Sequence, residues 1–152
     1  MKTSVATTVD TRNFTRRSAP GFPYKDIANV LAPGWEISLV YAGTTRAQSL
    51  NKVLRKKTYI PNVLSYVTGK KSGEIIICLE VAKKQAPSYD LSYKDFVAFL
   101  FIHGLLHLLG KPHGPTMERH ERTFLKRFTG AHLSYDDESI PLAHGTTHSN
   151  RH

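Results

Sequence analysis

The chain has 152 residues, with 21 Lys plus Arg against 12 Asp plus Glu, a formal net charge of +9. That length fits one domain, large enough to bury a core without disulfides. A single cysteine, Cys78, excludes an intramolecular disulfide and a cysteine-based zinc site, and it points to a reducing compartment. The longest apolar run, Phe96 to Gly110, is broken by two histidines and is too short to span a bilayer. Met1 to Asp10 has no apolar stretch of signal-peptide type, so the chain reads as cytoplasmic. The charge is uneven. Residues 1–72 hold 12 basic and 3 acidic residues, whereas 73–152 hold 9 of each. A basic half is the footprint of a polyanion binder, although a solvated surface has the same composition.

Residues 1–19 lack apolar periodicity and read as an arm or a first strand. Phe22 to Leu31 predicts a short helix, stopped by Ala32-Pro33-Gly34. Trp35 to Tyr41 alternates and then turns apolar, which is strand patterning. Ala47, Leu50, Val53 and Leu54 recur at helical spacing and place a helix over 45–56. Asn62 to Val67 and Glu74 to Leu79 read as two strands of a hairpin around a Gly-Lys-Lys-Ser-Gly turn. Val81 to Gln85 is a short helical piece. Ser92 to Leu109 is the strongest helix, capped by Ser92, stopped by Gly110 and apolar nearly all round. Thr116 to Phe128 is amphipathic, with Met117, Phe124, Leu125 and Phe128 on its inner face. Ala143 to His152 is a polar tail, expected to be mobile. The order of elements predicts an α+β domain, a small mixed sheet packed by helices.

Chemistry concentrates in Phe101 to His113. His103 and His107 are four apart, so both rings project from one helical face. Gly110 stops the helix, Pro112 stiffens the return, and His113 is placed to swing back as a third ligand. Three protein ligands and one open position make a catalytic zinc site. The competing reading is a pair of satisfied core histidines, but burying two imidazoles is costly unless each finds a partner. Three imidazoles also accept nickel, cobalt or copper. A zinc protease helix carries Glu directly after its first His. Here that residue is Gly104, which disfavours a peptidase. A second segment, Leu54-Arg55-Lys56-Lys57, ends a helix in cations. Arg55 suits a bidentate phosphate contact. Basic residues also suit a helix C-terminus for its dipole alone.

Together these segments resemble the YbeY family of bacterial rRNA maturation endoribonucleases. The family motif His-Gly-x-Leu-His-Leu-x-Gly-x-x-His stands at His103 to His113 with every histidine in register. Leu50-Asn51, Arg55, Lys57, Asn62-Val63-Leu64-Ser65-Tyr66 and Gly73-Glu74-Ile75 match its other motifs in order, so the resemblance runs over about 35–128. It implies one metal-dependent endoribonuclease domain over 1–142, with a zincin-like metal helix carrying His103 and His107. One Zn2+ per chain would sit on His103, His107 and His113, which with Arg55 form the catalytic set. Lys52, Lys56 and Lys57 would hold the RNA strand. The implied activity is cleavage of single-stranded RNA in maturation of the small-subunit rRNA 3′ end and in ribosome quality control. The implied partners are rRNA and the small subunit or its proteins, with no DNA and no membrane.

The chain also departs from the family pattern. Lys111-Pro112 replaces Tyr-Asp before the third histidine, which removes a carboxylate from the motif and adds a cation. Thr58 and Glu74 stand where the family often has Asp. The rival reading is a non-catalytic, ribosome-associated RNA-binding protein with a structural zinc. A metal hydrolase acting on a small substrate is a third, opposed by Gly104 and by the basic first half.

Overall fold

Four strands and five helices alternate along the chain in a computed structural model that describes residues 5–133. The tail expected over 143–152 lies outside the described residues, as does the end of the 1–142 domain. The order is β1 (Thr8–Asn13), α1 (Tyr24–Leu31), β2 (Glu36–Ala42), α2 (Thr44–Arg55), β3 (Val63–Gly69), β4 (Ser72–Cys78), α3 (Leu79–Gln85), a 3-10 turn (Ala86–Tyr89), α4 (Tyr93–Leu108) and α5 (Pro115–Thr129). The fold class is therefore the expected α+β. Residues 8–13 prove to be a strand, parallel to β2 and at the sheet edge. The first helix begins at Tyr24, with Pro23 as its cap, so Phe22 stands outside it.

The sheet runs β1-β2-β4-β3, with β3 antiparallel to β4 and the other pairs parallel. Period-two alternation divides β2 and β4 between two faces. Ile37, Leu39, Tyr41, Ile75 and Ile77 join the main core with α4. Val40, Ala42 and Ile76 join Leu64 in a smaller core, against which Leu50 of α2 packs. Coverage on both faces explains why Ile75 to Cys78 is an unbroken apolar run.

Helix α4 is the spine of the main core. Its N-terminus is fixed by Ser92 Oγ, which accepts the Asp95 N–H at 3.1 Å. Phe96, Phe99, Leu100, Phe101, Ile102 and Leu105 are fully buried. Burial of each such side chain contributes about 1.5–3 kcal/mol, so this helix dominates stability. Two glycines set how closely it lies on the sheet. A Cβ at Gly104 would stand 3.0 Å from Ile75 Cγ2, and one at Gly73 would stand 2.7 Å from Leu108 Cδ1. Position 104 thus faces the sheet, and a protease-type Glu does not fit there. Among the described residues no single helix is long and apolar enough to cross a membrane.

Gly104→Val should lower the unfolding free energy by about 3 kcal/mol, because overpacking against Ile75 outweighs the small gain in helix propensity over glycine. Gly21→Ala, which meets nothing within 4 Å, should change it by less than about 0.5 kcal/mol. Urea denaturation of the two variants measures both.

Candidate metal centre

The end of α4 is built to return the chain onto itself. Gly110 adopts φ +80°, the left-handed conformation glycine takes without strain. Its N–H donates to the His107 carbonyl at 2.9 Å, and the Lys111 N–H donates to the Leu106 carbonyl at 3.1 Å. These two bonds are the Schellman pattern of a helix C-terminus. Pro112 follows, and His113 comes back over the last turn of α4. The ring centroids of His103 and His107 are 5.6 Å apart, and those of His103 and His113 are 6.5 Å apart. The three motif histidines are thus neighbours in space. Lys111 and Pro112 are exposed on the outside of the reversal.

His103 is wholly buried, and its Nδ1 is in close contact with Glu121 Oε2. Glu121, on α5, is also fully buried. A carboxylate on Nδ1 assigns the ring proton there and leaves Nε2 with a lone pair. That Nε2 is buried and has no hydrogen-bond partner. Sequence reasoning missed Glu121, reading α5 only for its apolar stripe. The signal was there: Glu121 stands four residues after Met117 and four before Leu125, both buried. The carboxylate that Lys111-Pro112 removes from the motif therefore has a counterpart from a different helix.

His107 is half-buried, and its pKa is lowered from 6.5 to about 4. Burial is the main cause, followed by the neighbouring His103, with Arg55 and His113 adding to it. The ring is neutral at neutral pH, the form that binds metal. Arg55 thus lies within electrostatic reach of the histidines. Its Nε–H donates to Asn51 Oδ1 at 2.9 Å. Asn51, fully buried, in turn donates from Nδ2 to the Tyr59 carbonyl at 2.9 Å. Burial lowers the Arg55 pKa to about 10, which leaves it cationic at neutral pH. Asn51 is the second residue whose role the sequence reading left unassigned. Of the lysines expected to hold RNA, Lys52 and Lys56 are exposed and Lys57 is half-buried. Lys56 closes α2 in the left-handed conformation at φ +58°.

Whether a metal fits can be tested on these residues. Among the described residues no group of three or more His, Cys, Asp or Glu side chains is placed, as it stands, to hold a metal ion. With bonds of about 2.0–2.1 Å, two imidazoles on one zinc hold their centroids roughly 5–6 Å apart. The His103–His107 pair has that spacing, and His113 stands just outside it. The unpartnered buried Nε2 of His103 and the neutral His107 are what a metal requires. The residues fit.

A three-histidine cluster at the end of a core helix, with His103 buried, His107 and His113 half-buried and Arg55 in electrostatic reach, defines a candidate metalloprotein of α+β fold. The family model described as Endoribonuclease YbeY matches residues 19–129. The chain belongs to the YbeY family. The match begins upstream of the 35–128 span where the motifs are legible.

A Mesoplasma florum protein named Endoribonuclease YbeY is 31% identical over 115 residues, covering 68% of this chain and 66% of that protein. A Pseudomonas syringae protein of the same name is 32% identical over 130 residues, covering 77% and 78%. One from Staphylococcus saprophyticus is 37% identical over 90 residues, covering 51% and 59%. The chain spans about half to two thirds of the length of several of these curated relatives. A solution structure from Thermotoga maritima, TM1509, has a TM-score of 0.57 at 16% identity, covering 81% of this chain and 90% of its own. That likeness concerns the fold alone.

Glu121→Ala strips a buried imidazole of its partner and should cost about 3 kcal/mol of stability, whereas Glu121→Gln should cost less. Urea denaturation compares them. Stability of the metal-free protein should also fall with acid. The unfolded His107 takes up a proton near 6.5 and the folded one only near about 4, so its contribution is intact above 6.5 and lost as pH drops toward 4. Unfolding midpoints measured across that window should decline, and His107→Gln should flatten the decline.

Proposed function

We propose that this chain is a zinc-dependent endoribonuclease that cuts unpaired RNA. The observation that carries the reading is the buried Nε2 of His103, without a protein partner and grouped with His107, His113 and the cationic Arg55. His103, His107 and His113 would hold one zinc. A zinc there would polarise a phosphoryl oxygen or activate a water. Glu121 orients His103 by holding its Nδ1 proton, as carboxylates behind metal-binding histidines do. Asn51 grips Nε of Arg55 and so sets the plane of the guanidinium. That fixed charge then stabilises the negative charge that develops on the phosphate in the transition state.

Gly104 leaves no carboxylate following His103, and Glu121 is engaged with the ring. The site therefore lacks the acid–base carboxylate of a peptidase. The name borne by the relatives, and the basic first half of the chain, support RNA as substrate. Unpaired RNA suits half-buried histidines at the end of a helix, because a flexible strand can bring one phosphate squarely to them. We further propose that the substrate is rRNA, cut in maturation of the small-subunit 3′ end and in ribosome quality control, in the cytoplasm.

Incubation with an unstructured RNA tests the reading. Zinc-loaded protein should cleave it, and His107→Ala should lose both the zinc and the cleavage. Arg55→Ala should keep the zinc and cleave about 100-fold more slowly, the usual loss for one charge-stabilising group. Cleavage that persists without metal would contradict the mechanism. Salt-dependent binding with no cleavage would leave a non-catalytic RNA-binding protein.

A further inference from the structure

At the far end of α2 from the histidines lies a cavity of about 770 Å3. It opens at the carboxyl ends of β1, β2 and β4, the edge where ligands settle on parallel sheets. Its walls include Phe14, Arg16, Arg17, Arg46, Thr44 and Glu80. Three guanidinium groups therefore meet one carboxylate. Glu80 is engaged with Arg17, whose Nη2 stands 3.2 Å from Oε1. Neither Arg16 nor Arg46 pairs with a carboxylate among the described residues.

Phe14 is 55% exposed, and the Arg46 guanidinium carbon lies 4.8 Å from its ring centroid. The ring is presented from a fixed backbone. The Phe14 N–H donates to the Tyr41 carbonyl at 3.0 Å, and Asn13 Nδ2 donates to the Arg17 carbonyl at 2.9 Å. An exposed aromatic face among arginines offers stacking to a base and charge to a phosphate, the combination that single strands use.

Helix α2 links this cleft to the metal centre. Thr44 to Ile60 contain no acidic residue and carry Arg46, Lys52, Arg55, Lys56 and Lys57. At 1.5 Å and 100° per residue, Arg46 and Arg55 are about 14 Å apart along the helix axis and on opposite sides of it, so a path over the helix surface between them is about 20 Å. A stacked strand rising 3.4 Å per nucleotide covers that distance in about six nucleotides. Lys52, exposed, lies between them.

We propose that the Phe14–Arg16–Arg46 cleft is a second subsite for the RNA strand, holding phosphates and one base about six nucleotides from the phosphate at Arg55. The inference rests on the RNA-cleaving function proposed above and deepens it. It gives a use to arginines of the basic first half that the metal centre leaves idle. Long strands engage both ends of α2 and short ones only one, so affinity rises with length.

Binding of fluorescent oligouridines, a trimer and a decamer, tests it by anisotropy. Wild-type protein should bind the decamer more tightly. Arg16→Glu/Arg46→Glu should shrink the decamer-to-trimer affinity ratio by about tenfold or more and lower the salt slope for the decamer by about 1.4, roughly 0.7 for each phosphate no longer neutralised. Phe14→Ala should shrink the ratio without changing the slope. A ratio that survives the double variant, including an equal loss at both lengths, overturns the subsite. So does uridine monophosphate binding to wild type as tightly as the decamer, which would mark a small-ligand pocket. Wild-type protein that binds neither oligomer would defeat the RNA function itself, a result distinct from an unchanged ratio.

Discussion

An imidazole and a carboxylate, both removed from water, are held together at the centre of the molecule. His103 and Glu121 would each cost several kcal/mol if buried alone, and each is the other's partner. The pairing has two structural consequences. It ties α5 to α4, which otherwise meet through Met117, Leu125 and their neighbours in the apolar core. It also commits Nδ1 of His103 and leaves Nε2 as the unpartnered edge. The rest of the site follows from where that edge lies: His107 one turn along, His113 returned by the Gly110 turn, and Arg55 carried in on α2.

The glycines explain why this helix cannot work as a peptidase helix does. Gly104 lets α4 press against Ile75 and Gly73 receives Leu108, so the face following His103 is filled by the sheet. Close approach and an acid–base carboxylate at position 104 exclude each other. The carboxylate that serves His103 comes instead from α5, on the other nitrogen of the ring, where it orients the histidine. Arg55, held by Asn51, stays cationic despite burial.

Much of this is legible in the residues. Ser92 with Asp95, the Gly110 stop and the i, i+4 histidines mark α4, its ends and its chemistry before any coordinates. The β3–β4 hairpin is legible because its turn residues lie between two β-rich runs. The pairing of β1 with β2 is not, since the two strands are joined through α1 and their pairing is not local. Glu121 escaped because a carboxylate within an amphipathic pattern reads as solvated, and only packing against α4 shows that it is buried. The same limit applies to the lysines: the sequence groups Lys52, Lys56 and Lys57, and the fold turns the first two outward while half-burying the third.

A proton on Nδ1 of His103, toward Glu121, is what would free Nε2 for a metal. Nitrogen-15 NMR of the imidazole side chains, recorded before and after one equivalent of zinc, reads that proton. Metal-free protein should show the Nδ1-protonated tautomer of His103, and added zinc should shift Nε2 of His103 together with one ring nitrogen each of His107 and His113. A proton on Nε2, or a His103 spectrum that zinc leaves unchanged, would return these histidines to the core.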